Sequence, residues 1–259
     1  MAVGNTSLYL PSSHGLDTAV LDAYQQQFQL SIVHTIPEQG LYLQFDAEQR
    51  LSLFQAGSKG SVCVDFVSGR LDYRRQKGGG ELIAKAVNTK AHQSIIDATA
   101  GLGRDSFILA SQGCHVRMFE RHPTVAALLA DGLQRALNHT ETHDIAARMT
   151  LMPMSFLQAA LDDKVQVVYL DPMYPQRQKS AAVKKEMAYF HDLVGESDDD
   201  LGLMQQAARL AEKRVVVKRP RLGEFLAAQN PDYQYSGKST RFDAYIPQKL
   251  QDAFSKETL

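Results

Sequence analysis

Hydrophobic and polar residues alternate along the first part of the chain. Three segments show this alternation and are separated by Gly, Asp and Pro: 40–45, 50–54 and 61–66. A period of two bounded by turn residues predicts short, half-buried strands. A polar stretch over 17–29 has apolar residues at helical spacing and predicts one helix. We therefore expect a small strand-rich N-terminal subdomain over residues 1–73.

From residue 74 onward, predicted strands and helices alternate. The strands are 94–97, 116–119, 149–152, 165–170 and 214–217, and the helices are 81–87, 105–112, 123–138, 156–161 and 201–212. A turn near residue 237 leads into a closing strand. Alternation of this kind predicts βαβ crossovers and a mostly parallel sheet covered by helices. Residues 74–259 are therefore expected to form an α/β domain.

The charge of the chain is balanced overall but sorted locally. The 259 residues include 28 Lys and Arg against 29 Asp and Glu, for a formal net charge of -1. This balance excludes a globally basic nucleic-acid coat and an acidic disordered chain. Residues 70–90 nevertheless carry six basic and two acidic side chains. A nucleic-acid partner bound through local basic segments, with salt-dependent affinity, is compatible with this distribution.

Cysteine usage and hydropathy bear on location and metal content. Cys63 and Cys114 lie far apart without a paired or His-containing spacing, which argues against a disulfide framework or a zinc site. We expect a reducing cytoplasm, no metal and a monomer. The sequence has no run of about 18 apolar residues and no basic residue before its short N-terminal apolar patch. Neither a membrane span nor a secretory signal is expected.

A glycine turn follows the predicted strand 94–97 and opens a helix. Gly101 and Gly103 allow the backbone to pass close to a ligand at the carboxyl end of the strand. A dinucleotide fingerprint needs a third glycine where Ser106 stands. Asp97 suits a positively charged ligand, and Glu120 ends the next strand, where it can accept hydrogen bonds from ribose hydroxyls. This pattern is typical of S-adenosylmethionine-dependent methyltransferases, which have a Rossmann-like seven-stranded sheet. Alternatively, the glycines only form a tight turn, Glu120 is a surface residue, and Asp97 only caps loop amides.

A rigid corner follows the apolar strand 165–170. Asp171, Pro172, Met173, Tyr174 and Pro175 come directly after it, and the two prolines stiffen the turn. Methylation of an exocyclic base amine needs acceptors for the amine hydrogens and a flat group that holds the base. Asp171 and the carbonyl of Pro172 are predicted acceptors, and Tyr174 is predicted to stack on the base. Methylation of a pyrimidine carbon normally needs a cysteine nucleophile, and neither Cys63 nor Cys114 lies in a Pro-Cys loop at the end of a strand.

Basic residues follow the ends of two predicted strands, as phosphate binding would require. The candidates for RNA contact are Arg74, Arg75, Lys184, Lys185, Lys218 and Arg219. For any one of them, a solvated surface charge is the alternative. Two other functions remain open: a noncatalytic RNA-binding or ribosome-assembly factor, and an NAD-linked oxidoreductase, against which the missing third glycine argues.

Several segments together resemble the bacterial RsmJ (YhiQ) family of small-subunit ribosomal RNA guanine-N2 methyltransferases. The resemblance extends from about residue 64 to residue 243 and rests on segments 97–105, 119–121, 168–175, 180–187 and 215–220. It implies S-adenosylmethionine as cofactor, S-adenosylhomocysteine as product, and a small-subunit ribosomal RNA or subunit as partner. The implied ligand positions are Arg104, Asp105, Glu120, Arg121, Ser155, Phe156 and Asp171. Phe156 replaces a more usual small polar residue, so we expect it to contribute backbone contacts or packing.

Overall fold

Two β-sheets organise the chain in the computed structural model, which describes residues 6–10, 18–68, 80–173, 193 and 199–257. The strands of the first sheet are β1 (Ser7–Tyr9), β2 (Ser31–Val33), β3 (Leu41–Phe45), β4 (Leu51–Gln55) and β5 (Ser61–Cys63). Their order is β2-β1-β3-β4-β5. Helix α1 (Thr18–Phe28) connects β1 to β2, and these two strands are parallel. The strand-rich N-terminal region is confirmed, with β1 and β2 as strands that the pattern did not predict.

Aspartate side chains shape the turns of this sheet. Asp46 accepts the backbone N–H of Arg50 at 2.9 Å and closes the turn between β3 and β4. Asp65 accepts the N–H of Ser68 at 2.9 Å. An aspartate that binds the backbone ahead of it favours a turn over a strand. Strand β5 therefore ends at Cys63, although the alternation predicts three further residues.

The second sheet has seven strands. They are β6 (Ser94–Asp97), β7 (His115–Phe119), β8 (Met149–Met152), β9 (Val165–Leu170), β10 (Ala211–Pro220), β11 (Tyr233–Ser236) and β12 (Thr240–Tyr245). Their order is β11-β12-β10-β9-β6-β7-β8. Strands β6 to β10 all run parallel to one another, whereas β12 is antiparallel to both β10 and β11. The predicted α/β fold with a seven-stranded sheet is confirmed.

Helices cover the seven-stranded sheet. They are α2 (Glu81–Val87), α3 (Arg104–Ser111), α4 (Pro123–Leu137), α5 (His143–Ala146), α6 (Asp200–Leu210) and α7 (Pro247–Glu257). The longest, α4, has 15 residues, and no helix in the described ranges is long and apolar enough to cross a bilayer. The helix predicted over 156–161 is wrong, since only Phe156–Gln158 form a 3₁₀ turn. Strand β10 starts three residues earlier than predicted because its first residues form an irregularity beside β9.

Both faces of the sheet are buried. Ile95 and Val167 belong to one apolar cluster, and their neighbours Ile96 and Val168 belong to another on the opposite face. Successive side chains of a strand point to opposite faces, so a strand covered on both sides needs apolar residues throughout. This explains the continuous apolar runs from which the central strands were predicted.

Helix α4 joins the two sheets. Asp131 accepts the backbone N–H of Leu51 at 3.2 Å, and Arg135 donates to the carbonyl of Val64. Gly132 lies between them and faces Val64: a Cβ on Gly132 would be 2.6 Å from the Cβ of Val64 and 3.1 Å from its carbonyl oxygen. Residues of both sheets share one apolar cluster. The boundary predicted between residues 73 and 74 lies outside the described residues and stays a prediction.

We expect Gly132→Ala to lower the free energy of unfolding by about 1–3 kcal/mol, because the added methyl group overpacks the contact with Val64. Helix propensity alone predicts the opposite, a gain of about 1 kcal/mol. Urea unfolding of Gly132→Ala and wild type distinguishes these two predictions. The double variant Gly132→Ala with Val64→Ala should recover part of the loss, and a stabilised single variant would contradict the predicted contact.

Candidate active site

A cavity of about 420 Å³ opens where β6, β7 and β9 end, beside the last residues of β10. We call this side of the sheet the carboxyl edge. In open parallel sheets, ligands bind at this edge, and sites for small molecules commonly have volumes of roughly 300–1,000 Å³. The predicted site residues that line the cavity are Asp97, Gly101, Arg104, Asp105, Glu120, Arg121, Ser155, Phe156, Asp171, Pro172 and Lys218.

Asp97 stabilises the glycine loop, residues 98–103, through hydrogen bonds. This carboxylate accepts the N–H of Thr99 at 3.1 Å and the hydroxyl of Ser106 at 2.5 Å. Asp97 is only 1% exposed, and burial raises its pKa to about 7 although both hydrogen bonds oppose the rise. The structure thus gives Asp97 a supporting role in the loop. Its predicted contact with a positively charged ligand stays a prediction.

The two glycines of the loop have different reasons to be glycine. Both have positive φ angles, +54° at Gly101 and +69° at Gly103. A Cβ on Gly103 would lie 2.6 Å from the side chain of Leu129, so close packing requires glycine there. Around Gly101, by contrast, the described residues other than its two chain neighbours have no heavy atom within 4 Å of the same position. Gly101 therefore leaves open space on the cavity side, whereas Gly103 packs against α4.

Glu120 faces the glycine loop from the end of β7. Its carboxylate accepts the N–H of Gly101 at 2.9 Å and the N–H of His122 at 2.7 Å, one on each oxygen. Burial raises its pKa, and the two backbone hydrogen bonds oppose that rise. A carboxylate has about four acceptor positions, so each oxygen keeps capacity for another donor. A ligand with two neighbouring hydroxyl groups fits this arrangement.

Lys218 links two carboxylates at the other side of the cavity. Its ammonium nitrogen lies 2.7 Å from Asp105 Oδ2 and 2.8 Å from Asp171 Oδ2. Asp105 Oδ2 also accepts the hydroxyl of Tyr169 at 2.6 Å. The backbone N–H of Asp171 donates to Thr99 Oγ1 at 2.6 Å, which connects the end of β9 to the glycine loop. Burial raises the pKa of Asp171, and Lys218 opposes the rise.

Lys218 and Arg219 correct one sequence-based placement. They were expected just beyond the end of a strand, but β10 continues to Pro220 and contains both. Arg219 is only 5% exposed and donates to the carbonyl of Glu224 at 2.9 Å. Neither residue is the solvated surface charge that was the alternative to RNA contact. Tyr174 lies outside the described residues, and so do the other predicted RNA contacts, Arg74, Arg75, Lys184 and Lys185.

Phe156 contributes packing. It is 2% exposed, and its ring lies 5.5 Å from that of Phe119 in an edge contact. Its carbonyl accepts the side-chain amide of Gln206 at 2.6 Å. The packing contact agrees with the expectation for an aromatic residue at this position. Within the described ranges, no group of three or more His, Cys, Asp or Glu side chains could hold a metal ion.

The partners of Asp105 and Asp171 were not predicted from the sequence. Thr99 and Tyr169 were not singled out, and Lys218 was assigned to RNA. One signal was available: strand alternation places Lys218 on the same face as the buried Val216, directly after the apolar run 215–217. A lysine at an inward position of a buried strand normally has a carboxylate partner.

The raised pKa of Asp97 predicts a pH-dependent stability difference. The folded protein retains a proton on Asp97 up to about pH 7, whereas an unfolded aspartate loses it near pH 4, so Asp97 lowers stability as pH rises between these values. Asp97→Asn removes this cost, and its amide oxygen can still accept the N–H of Thr99. Its amide nitrogen can donate to the hydroxyl of Ser106, which then acts as the acceptor. We expect its free energy of unfolding, relative to wild type, to increase with pH by an amount on the order of a few kcal/mol.

Urea unfolding at several pH values between 4 and 7 measures this difference. Asp163→Asn at an exposed position is the matched control and should show no such trend. A constant difference between Asp97→Asn and wild type over this range would contradict the prediction.

Comparison with known proteins identifies the family. The family model described as a putative SAM-dependent methyltransferase matches residues 23–247. A protein from Neisseria meningitidis serogroup C, named Ribosomal RNA small subunit methyltransferase J, is 58% identical over 238 residues, which is 89% of this chain and 94% of that protein. A protein of the same name from Serratia proteamaculans is 47% identical over 250 residues, or 93% of this chain and 99% of that protein.

A solved structure agrees with this match over nearly the whole chain. The crystal structure of a SAM-dependent methyltransferase from Neisseria gonorrhoeae has a TM-score of 0.78 and 51% sequence identity, and the match covers 93% of this chain and 96% of that one. The cavity described above lies at the edge of the sheet where such enzymes are expected to hold their cofactor. The chain therefore belongs to the S-adenosylmethionine-dependent methyltransferases of the family named ribosomal RNA small subunit methyltransferase J, and S-adenosylmethionine is its cofactor.

Proposed function

We propose that this enzyme methylates the exocyclic N2 amine of a guanine in small-subunit ribosomal RNA. The RNA substrate is supported by the names of its relatives, and the guanine amine by the RsmJ resemblance. The single structural observation that carries the proposal is the Asp171 carboxylate at the end of β9, paired with Lys218 in the same cavity as Glu120. This arrangement offers an acceptor for amine hydrogens next to a place for the cofactor.

The residues of the cavity fit S-adenosylmethionine. There is room for a ligand beside Gly101, because a Cβ there would have no heavy atom within 4 Å among the described residues other than its chain neighbours. We propose that Glu120 accepts hydrogen bonds from the two ribose hydroxyls with the acceptor capacity that its backbone contacts leave. The carboxylates Asp105 and Asp171 suit the positive charges of the cofactor. Arg104, Arg121 and Ser155 line the same cavity and are proposed to contribute further polar contacts.

The proposed chemistry needs alignment and a proton acceptor. S-adenosylmethionine supplies a methyl group on a positively charged sulfur, which keeps the bonding electrons and leaves as a neutral thioether. Asp171 and the carbonyl oxygen of Pro172 hold the amine hydrogens, so that the nitrogen lone pair forms the new N–C bond. The nitrogen then releases one proton, for which the Asp171 carboxylate is the acceptor before transfer to solvent. Stacking of Tyr174 on the base remains part of the proposal.

Exposed basic residues beside the cavity are proposed to contact RNA phosphates. Arg221 and Lys238 are exposed on two neighbouring turns, which are joined by a 3.0 Å hydrogen bond from the N–H of Arg221 to the carbonyl of Ser239. Arg74, Arg75, Lys184 and Lys185 remain proposed contacts from the sequence. Phosphate contacts position a nucleic acid without reading its sequence and make binding salt-dependent.

The cellular setting is also a proposal. Cys63 and Cys114 are both free thiols, which is compatible with a reducing cytoplasm. We propose that the enzyme acts there as a monomer. A dinucleotide cofactor is disfavoured, since Ser106 takes the place of the third glycine and donates its hydroxyl to Asp97.

Methyl transfer from tritiated S-adenosylmethionine tests the proposed function directly. The substrates are small ribosomal subunits and bare RNA lacking the modification, and mass spectrometry identifies the modified nucleoside. We expect wild type to form N2-methylguanosine on at least one substrate and Asp171→Asn to lose at least about 10²-fold in rate, because the amide is a poor proton acceptor. Because Asp171 is also a proposed cofactor contact, the rate is measured at saturating S-adenosylmethionine, and calorimetry reports any change in cofactor affinity separately.

Three outcomes would contradict the proposal. Methylation of another atom would refute guanine N2, and wild-type rates in Asp171→Asn would refute the role of Asp171. RNA binding by wild type without any transfer to either substrate would favour the noncatalytic factor.

The proposed ribose contact predicts a binding defect in Glu120→Gln. The amide group of glutamine must present a donor on one side, where Glu120 accepts the N–H of Gly101 or His122. We expect calorimetry to give a dissociation constant for S-adenosylmethionine at least about tenfold higher than for wild type. Glu141→Gln, at an exposed position, is the control and should bind normally. Unchanged affinity of Glu120→Gln would exclude Glu120 as a cofactor ligand.

A further inference from the structure

The position of Lys218 suggests that it does more than neutralise charge. Its side chain joins three elements, because Asp105 belongs to the first turn of α3, Asp171 follows β9, and Lys218 itself belongs to β10. The two ion-pair distances of 2.7 and 2.8 Å are those of charge-assisted hydrogen bonds. Lys218 therefore connects the start of the helix behind the glycine loop with the proposed acceptor of the reaction.

The ion pair constrains the Asp171 carboxylate. Lys218 binds Oδ2, which restrains rotation of the group, and Oδ1 is the oxygen that this ion pair leaves for an amine hydrogen. The backbone of the same residue is held by Thr99 Oγ1 at 2.6 Å. Catalytic groups must be held within a fraction of an ångström of the reactive geometry, so both contacts bear on rate.

Several ionisable groups surround this pair. Those that act electrostatically on Asp171, Lys218 or their direct partners are Asp97 on β6, Asp105 on α3, Tyr169 on β9 and Arg219 on β10. Asp105 and burial both favour the neutral form of Asp171. Lys218 touches the Asp171 carboxylate and opposes these influences.

We infer that Lys218 is a positioning residue for methyl transfer: its ammonium group holds the Asp171 carboxylate in one orientation and in its charged form. The inference rests on the proposed role of Asp171 as the acceptor. A charged carboxylate accepts hydrogen bonds from the amine, whereas a protonated one presents a donor of its own. Lys218 thereby allows a buried aspartate to serve as acceptor at neutral pH.

The pH dependence of the rate tests this inference. In Lys218→Met, burial and Asp105 act on Asp171 without opposition from Lys218, so its pKa rises. We expect the acid limb of the kcat profile to move at least about one pH unit upward and the rate at pH 7 to fall roughly 10²-fold, with partial recovery at higher pH. Lys218→Arg keeps the charge and should keep the limb in place.

A second readout uses the free protein. Without Lys218, ionised Asp171 is buried without its partner, so folding favours protonated Asp171 and stability is lost as pH rises. The melting temperature of Lys218→Met, relative to wild type, should therefore increase as pH falls from 8 to 5. Lys218→Gln, which keeps a hydrogen-bond donor but no charge, should behave like Lys218→Met and serves if the latter does not fold.

The control is Lys249→Met, which removes an exposed lysine whose ammonium lies 2.5 Å from Asp232. This variant should change neither the position of the acid limb of the kcat profile nor the pH dependence of the melting temperature. An equal rate loss at every pH in Lys218→Met, or no loss at all, would overturn the inference. If instead Asp171→Asn is fully active, the proposed role of Asp171 has failed, independently of the result at Lys218.

Discussion

Repulsion among carboxylates is the constraint that shapes this active site. Asp97, Asp105, Glu120 and Asp171 all line one cavity at the carboxyl edge of the sheet. Buried negative charges are costly unless each has a partner. Asp97 and Glu120 accept backbone N–H groups of the loops around them, and Asp105 and Asp171 share the ammonium group of Lys218. These partners tie the carboxylates to the loops, so the same contacts that offset repulsion also define the site.

The segment after the N-terminal sheet contributes to this site through packing. Phe66 stacks on Phe107 of α3 with ring centroids 4.8 Å apart, and its ring would lie 3.2 Å from a Cβ on Gly103. Leu129 of α4 contacts the same glycine. The glycine loop therefore rests on residues from both parts of the chain. The N-terminal part of the chain thus supports the candidate cofactor site, although none of its described residues lines the cavity.

Much of this architecture could be predicted because it depends on local patterns. The strands around Ile95 and Val167 are apolar on both faces. The glycines and the acidic residues at strand ends can be recognised in the sequence alone and indicate a candidate cofactor site. The three-residue strands β1 and β2 were not predictable, since each is stabilised mainly by pairing with distant residues. The role of Lys218 was missed for a related reason. Its partners are 113 and 47 residues away, and only the fold brings them together.

Family membership and site geometry meet at the Asp171 corner. The relatives named for small-subunit ribosomal RNA point to an RNA substrate, and the paired carboxylate offers an acceptor suited to a base amine. The ion pair between Asp171 and Lys218 favours catalysis by alignment over catalysis by a strong base. The central claim is therefore that cofactor, Glu120, Asp171 and Lys218 occupy one assembled site.

A crystal structure of the protein with S-adenosylhomocysteine tests this claim most directly. The account predicts the ribose hydroxyls within hydrogen-bonding distance of the Glu120 carboxylate, the glycine loop beside the ligand, and Lys218 still paired with Asp171. A ribose held by other side chains, or a Lys218 that has left Asp171 in the complex, would contradict it.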